Sequence, residues 1–183
     1  MPPLITLFNR GKGNKLVLGE DTFLQKPLIR IVGNNNTIEF GDHCSMGRDC
    51  TFWLDGNNMR IKIGSHTTFT RNCNLTCQED GMTITVGEDC MFSNTIVVRT
   101  SDSHKMYNVE TGERINPPKD VRIGNHVWIA PNSKVMKGAS IGDGSIIGSN
   151  TMVTKAMPEN SLIVGMPAKV VKQGVSWSRE SIF

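Results

Sequence analysis

Nothing in the chain approaches the run of ~20 apolar residues that a membrane-spanning helix requires. The start, MPPLITLFNRGKGNK, has no basic stretch followed by a sustained apolar core and cleavage site, so no secretory signal is read and the cytoplasm is the expected compartment. Cysteine is scarce and odd in number, five in all, which argues against a disulfide framework. Aromatic residues make up only 6% of the chain. Net charge is +3 with no Lys/Arg block, too little for a nucleic-acid surface, although small anionic ligands stay compatible with it. Helical periodicity of useful length is missing before the C-terminus. What remains is a chain of 183 residues, 38% apolar and 20% charged, rich in glycine (18) and asparagine. That size and balance fit one globular domain built largely from tight turns.

A six-residue repeat fills this space. Set in sixes from Ile123, the sequence reads IGNHVW, IAPNSK, VMKGAS, IGDGSI and IGSNTM, led by Ile123, Ile129, Val135, Ile141 and Ile147, with Val153 opening the next block. An aliphatic lead at this period is the mark of a parallel β-helix, each hexad being one short strand and one turn. Three strands per coil give roughly 18 residues a rung. The same register shows from Phe40 (FGDHCS, MGRDCT), from Ile63 (IGSHTT, FTRNCN) and from Val86 (VGEDCM, FSNTIV), with breaks between. The expected organisation is a single domain over 1–183: irregular N-terminal coils over 1–39, regular coils over 40–98, an excursion over 99–122, regular coils over 123–155 and a C-terminal segment, a short helix or tail, over 156–183.

The columns of the repeat assign its residues. Lead positions form the core. The fifth column holds Cys44, Cys50, Thr67, Cys73, Cys90, Val127, Ser133, Ala139, Ser145 and Thr151, mostly small residues suited to a crowded inward corner. Four of the five cysteines are thereby core filling, not metal ligands. The fourth column holds His43, Asp49, His66, Asn72, Asp89, His126, Asn132, Gly138, Gly144 and Asn150, types that tolerate positive φ, so it marks the turn. His43, His66 and His126 are then expected as solvent-facing turn residues, and no metal site is expected from them.

Two residues stand apart from the register. His104 lies in TSDSHKMYNVETGERINPPKD, a polar interruption long enough to be functional, and Asp102 two residues earlier is close enough to orient an imidazole. From spacing alone, a lone loop histidine is more often ordinary surface than catalytic. Trp128 falls in the outward sixth column, where an indole covers a neighbouring loop or subunit or forms a ligand wall. Trp53 and Trp177 invite only the generic explanation.

The hexads, the D-x-H excursion, the block IGNHVWIAPNSKV, then VTK and GMPAKVVK with a late W-x-R, are similar to the hexapeptide-repeat acetyltransferases that use acetyl-coenzyme A. Among these the pattern over about residues 31–180 most resembles the sugar and capsule O-acetyltransferases, such as the polysialic acid O-acetyltransferases. The resemblance implies an all-β, left-handed parallel β-helix, a handedness that runs against the usual right-handed crossover. It implies a homotrimer with active sites between subunits, acetyl-coenzyme A as co-substrate with no permanent cofactor, and a sugar hydroxyl of a glycan as acceptor. It makes His104 the catalytic base and Trp128 a wall beside the thioester, with direct attack and no acyl-enzyme. The Ala130 backbone N–H becomes the candidate oxyanion donor. Lys155, Lys169 and Lys172 are expected at the coenzyme A phosphates and Asn72 at the acceptor. Tyr107 and Arg114 either touch the acceptor or pin the excursion. N-acetylation of a nucleotide-linked amino sugar and a non-catalytic β-helical scaffold are the competing readings.

Overall fold

The computed structural model describes residues 5–182; residues 1–4 of the irregular N-terminal span and Phe183 lie outside the described residues. The chain forms a left-handed parallel β-helix whose three faces are parallel sheets. The first face runs from Thr6–Arg10 to Met152–Val153, the second from Lys15–Leu18 to Ala156–Met157, and the third from Phe23–Leu24 to Ser161–Val164. The final strand, Lys169–Gln173, turns back antiparallel on Ser161–Val164. A strand and an extended tail therefore stand where a short C-terminal helix was the alternative. Among the described residues there is no helix, and none long and apolar enough to cross a membrane.

The columns do what their chemistry requires. All ten residues of the turn column have positive φ, from 52° at Asn72, Asp89 and His126 to 77° at Gly138. The small fifth column is buried throughout, as are the lead residues from Phe40 to Val153. All five cysteines are free and buried, Cys77 included. Each lead Ile or Val contributes roughly 2 kcal/mol by leaving water, and stacking repeats that contribution rung by rung.

The rung length differs from the uniform 18 residues expected. Lys134 pairs with Met152 at that step, but Thr6 pairs with Leu28 and Leu28 with Thr51, and contacts between these earlier rungs span 22 and 23 residues. The extra residues widen the corner between the first and second faces, where Gly33-Asn34-Asn35, Gly56-Asn57-Asn58 and Glu79-Asp80-Gly81 stack. The Asn34 amide donates to Asn57 Oδ1 at 2.9 Å, and the Asn57 amide to Asp80 Oδ1 at 2.8 Å. The apparent breaks after Leu54 and after Cys77 are this polar corner, and the N-terminal span is regular from Thr6 onward. Glycine is required there: at Gly33, φ is +104° and a Cβ would sit 1.9 Å from the Gly56 carbonyl oxygen.

The excursion leaves the first face after Arg99 and rejoins the second at Val121. The Lys119 amide closes its base on the Thr100 carbonyl at 3.0 Å. A bridge between Tyr107 and Arg114 pairs its two limbs, and Asn108 Oδ1 caps the tip by accepting from the amides of Glu110 and Thr111.

Candidate active site

His104 lies exposed on the excursion, and the loop around it is held by its neighbours rather than by its ring. Asn116, 3% exposed, is the hub. Its Nδ2 donates to the His104 carbonyl at 2.8 Å and to Asp102 Oδ2 at 2.9 Å, while its Oδ1 accepts from the Met106 amide at 2.7 Å. Lys137 Nζ, from the next rung, donates to Asp102 Oδ2 at 2.5 Å and to the carbonyls of Asn116 and Pro117. The hydrogen bonds from Lys137 and then Asn116 hold the Asp102 carboxyl below its ordinary range. Asp102 is thus turned to Lys137 and Asn116, and no described hydrogen bond joins it to the His104 imidazole. Among the described hydrogen bonds, Asp102 and the His104 backbone are linked only through Asn116, whose Nδ2 donates to both.

Arg114 pins the excursion to the coil. Its guanidinium meets both carboxylate oxygens of Glu79, at 2.5 and 2.8 Å, and this hydrogen-bonded pairing lowers the Glu79 pKa. Tyr107, more than half exposed, lies beside the Lys105 ammonium.

On the third face, outward side chains line up across the rungs: Met91 pairs with Trp128, Trp128 with Ile146, and Ile146 with Leu162, with Lys172 across from Leu162 on the last strand. Each alternates with a buried core residue, which leaves a half-buried apolar column ending in a cation. Trp128 Nε1 reaches Ser93 Oγ at 3.3 Å. Ile146 and Leu162 occupy the same column as Trp128; the hexads place Ile146 there, whereas Leu162 lies past the repeat and is placed only by the strand pairing.

Several expected positions are relocated or removed. The Ala130 N–H donates to the Ile147 carbonyl at 2.8 Å, so it belongs to the ladder and is not available to an oxyanion. Lys155 stands at the corner between the first and second faces, whereas Lys169 and Lys172 share the last strand of the third. All three are exposed. Asn72 is a turn residue between the third and first faces, its Nδ2 3.4 Å from Thr95 Oγ1. Within one chain, then, His104, Trp128 and Asn72 sit at or near three different edges of the prism, and no described contact joins them.

The turn histidines are also not uniformly solvent-facing. His43 and His66 stack ring on ring at 5.0 Å, but His126 is covered by Trp177. Those rings lie 4.3 Å apart and 7° from parallel; the Trp177 Nε1 donates to the His126 carbonyl at 2.8 Å, and His126 Nε2 faces the Trp177 carbonyl at 3.0 Å. The other ring nitrogen meets Asp89 Oδ2 at 2.7 Å. Arg179 completes the fastening with Nε on Asp89 Oδ1 at 2.7 Å, Nη1 on Thr68 Oγ1, and Nη2 on the carbonyls of His66 and Cys90. Burial opposes ionisation of Asp89, yet the hydrogen bonds from Arg179 and His126 outweigh it and lower the Asp89 pKa.

The coil, its stacked hexads and the excursion define a hexapeptide-repeat transferase, and the pattern described as "Bacterial transferase hexapeptide (six repeats)" matches residues 120–155. The polysialic acid O-acetyltransferase of Neisseria meningitidis is 37% identical over 178 residues, 93% of this chain and 78% of the relative. The crystal structure of the polySia-specific acetyltransferase NeuO superposes with a TM-score of 0.77 at 28% identity, covering 96% of this chain and 89% of that one. The polysialic acid O-acetyltransferase OatWY gives 0.72 at 29% identity, covering 94% and 90%. The chain belongs to the family of hexapeptide-repeat acetyltransferases that contains these enzymes. It is a sugar O-acetyltransferase that takes an acyl-coenzyme A as co-substrate.

Proposed function

We propose that the protein works as a cytoplasmic homotrimer that transfers acetyl from acetyl-coenzyme A to a hydroxyl of an acidic, sialic-acid-containing capsular glycan. The observation that carries the assembly is the separation of the parts: His104 leaves the corner between the first and second faces, while Trp128 and its apolar column lie on the third. Docking the excursion of one subunit on the third face of its neighbour joins base and donor groove. Met106, Tyr107, Val109 and Ile115, from 50% to 88% exposed, give the excursion an apolar surface for that contact. The buried free thiols fit a reducing compartment. The acceptor assignment rests on the Neisseria relative.

In this reading the pantetheine arm lies along Trp128, Ile146 and Leu162, with about 14 Å from Trp128 to Lys172 at ~4.8 Å per strand, and the phosphates meet Lys172, Lys169 and a Lys155. Neutral His104 removes the proton of the acceptor hydroxyl as its oxygen attacks the thioester carbonyl. The tetrahedral oxyanion collapses and expels the coenzyme A thiolate, which takes the proton back from His104. Since the Ala130 amide is committed, the donor on this wall is the Trp128 indole N–H, weakly held by Ser93. Arg114 and Tyr107 pin and shape the excursion, and Asn72 meets the acceptor from the adjoining corner.

The test pairs two measurements on the purified protein. Coenzyme A should raise its Tm, and acetyl-coenzyme A should be consumed with a sialic acid polymer from a panel of bacterial glycans, giving a base-labile ester by mass spectrometry. An amide product overturns O-transfer. Absence of any coenzyme A effect leaves the fold as scaffold only.

A further inference from the structure

The C-terminal tail has no role in that reading, yet it is fastened to the coil at several points. After Lys169–Gln173 the chain runs back down the edge between the second and third faces, the Val175 amide on the Asn160 carbonyl at 3.0 Å, then Trp177 on His126, then Arg179 on Asp89 and His66. The His126 ring is held on both sides, one nitrogen facing the Asp89 carboxylate at 2.7 Å and the other the Trp177 carbonyl at 3.0 Å. This route brings the Trp177 indole 6.2 Å from that of Trp128 and borders a half-open cleft of about 370 Å³, with Met91 and Trp128 as floor and Trp177 and Arg179 beside them. A cleft of that size lies within the range of small-ligand sites, and its floor is the lower end of the apolar column that ends at Lys172.

We propose that the tail, residues 175–182, is the second wall of the donor site: Trp177 closes over Trp128 so that the thioester end of the acyl-coenzyme A is enclosed between them and only a short acyl chain fits. His126, Asp89 and Arg179 are positioning residues that hold Trp177 in place. The inference rests on the donor-groove reading above. Trp177 is the specificity-determining residue, because an indole removed from the cover leaves room for additional methylenes, and a pocket discriminates such additions by about tenfold or more.

The experiment uses the full-length chain with acetyl-, butyryl- and hexanoyl-coenzyme A as donors and a saturating glycan acceptor. Trp177→Ala is expected to raise KM for acetyl-coenzyme A about tenfold, leave KM for the acceptor unchanged, and shift the acetyl-to-butyryl ratio of kcat/KM by about tenfold toward butyryl. His126→Asn keeps a residue that accepts the positive-φ turn (φ 52°) but breaks the fastening, and it should move KM for the donor in the same direction with a smaller shift in chain preference. Circular dichroism and oligomeric state should not change, since the tail lies outside the core. A Trp177→Ala protein with wild-type donor KM and wild-type chain preference overturns the wall. A wild-type protein that binds no coenzyme A overturns the donor groove itself, and the proposal with it.

Discussion

Replacing Asn116 with alanine isolates the loop that carries the proposed base, His104. The side chain is 3% exposed and makes three hydrogen bonds that matter to His104: to the His104 carbonyl, from the Met106 amide, and to Asp102. Alanine leaves a backbone carbonyl and a backbone N–H without their partner in a part-buried position and frees Asp102 from one of two donors. At about 1 kcal/mol for each lost bond, the ordered loop loses roughly 2–3 kcal/mol relative to its disordered forms. The β-helix core makes none of these contacts, so the cost falls on the loop and not on global unfolding. If the intact loop is favoured by a similar margin, the competent fraction falls to about one half, and kcat/KM falls about twofold with it. Hydrogen exchange over 101–118 together with steady-state kinetics reads both parts. The expected pair is faster exchange confined to that stretch and a loss of kcat/KM, with Tm lowered by only a few degrees. Wild-type kcat/KM, or exchange accelerated equally across the rungs, would refute the reasoning.

Three other consequences concern the coil. Gly33→Ala places a methyl 1.9 Å from the Gly56 carbonyl oxygen at φ +104°, and it should lower stability by about 3 kcal/mol or prevent folding, read as a lower urea midpoint. The five buried thiols should stay unreactive to Ellman's reagent in the native protein and all react once it unfolds; burial pushes Cys77 and Cys90 up to about 12, so even moderately alkaline buffer should not release them. Asp102, Asp89 and Glu79 have pKa values lowered in the fold from 3.8, 3.8 and 4.5. Their stabilisation is present above those unfolded values and is lost as pH falls through the lower folded ones, so Tm should drop below about pH 4 and Asp102→Asn should flatten that drop.

Residue type and spacing carried the coil well, because a period-six pattern leaves each side chain one inward, outward or turning direction. Ten turn residues at positive φ and ten small inward residues follow from that geometry alone. Spacing did not reveal the wide corners, since Gly-Asn-Asn inserts interrupt the hexad count while their Asn ladder keeps the rungs in register. The site was legible where family motifs name residues and illegible where three-dimensional partners decide. Asp102 two residues from His104 suggested an orienting carboxylate, yet Lys137, 35 positions away, takes it. Ala130 beside Trp128 suggested an amide donor, but the parallel ladder uses that amide as it uses its neighbours'. Trp177 and Arg179 sit in a tail without periodicity, and their pairing with His126 and Asp89 spans 51 and 90 residues, distances that no local pattern encodes.

The measurement closest to the central claim is acetyl transfer by His104→Ala in the assembled protein. With acetyl-coenzyme A and the preferred glycan, wild type should yield the acetyl ester, and the variant, binding coenzyme A and melting as wild type does, should lose about 100-fold or more in kcat with KM for the donor little changed. A His104→Ala protein that acetylates at the wild-type rate contradicts the assignment of the base and of the excursion that carries it.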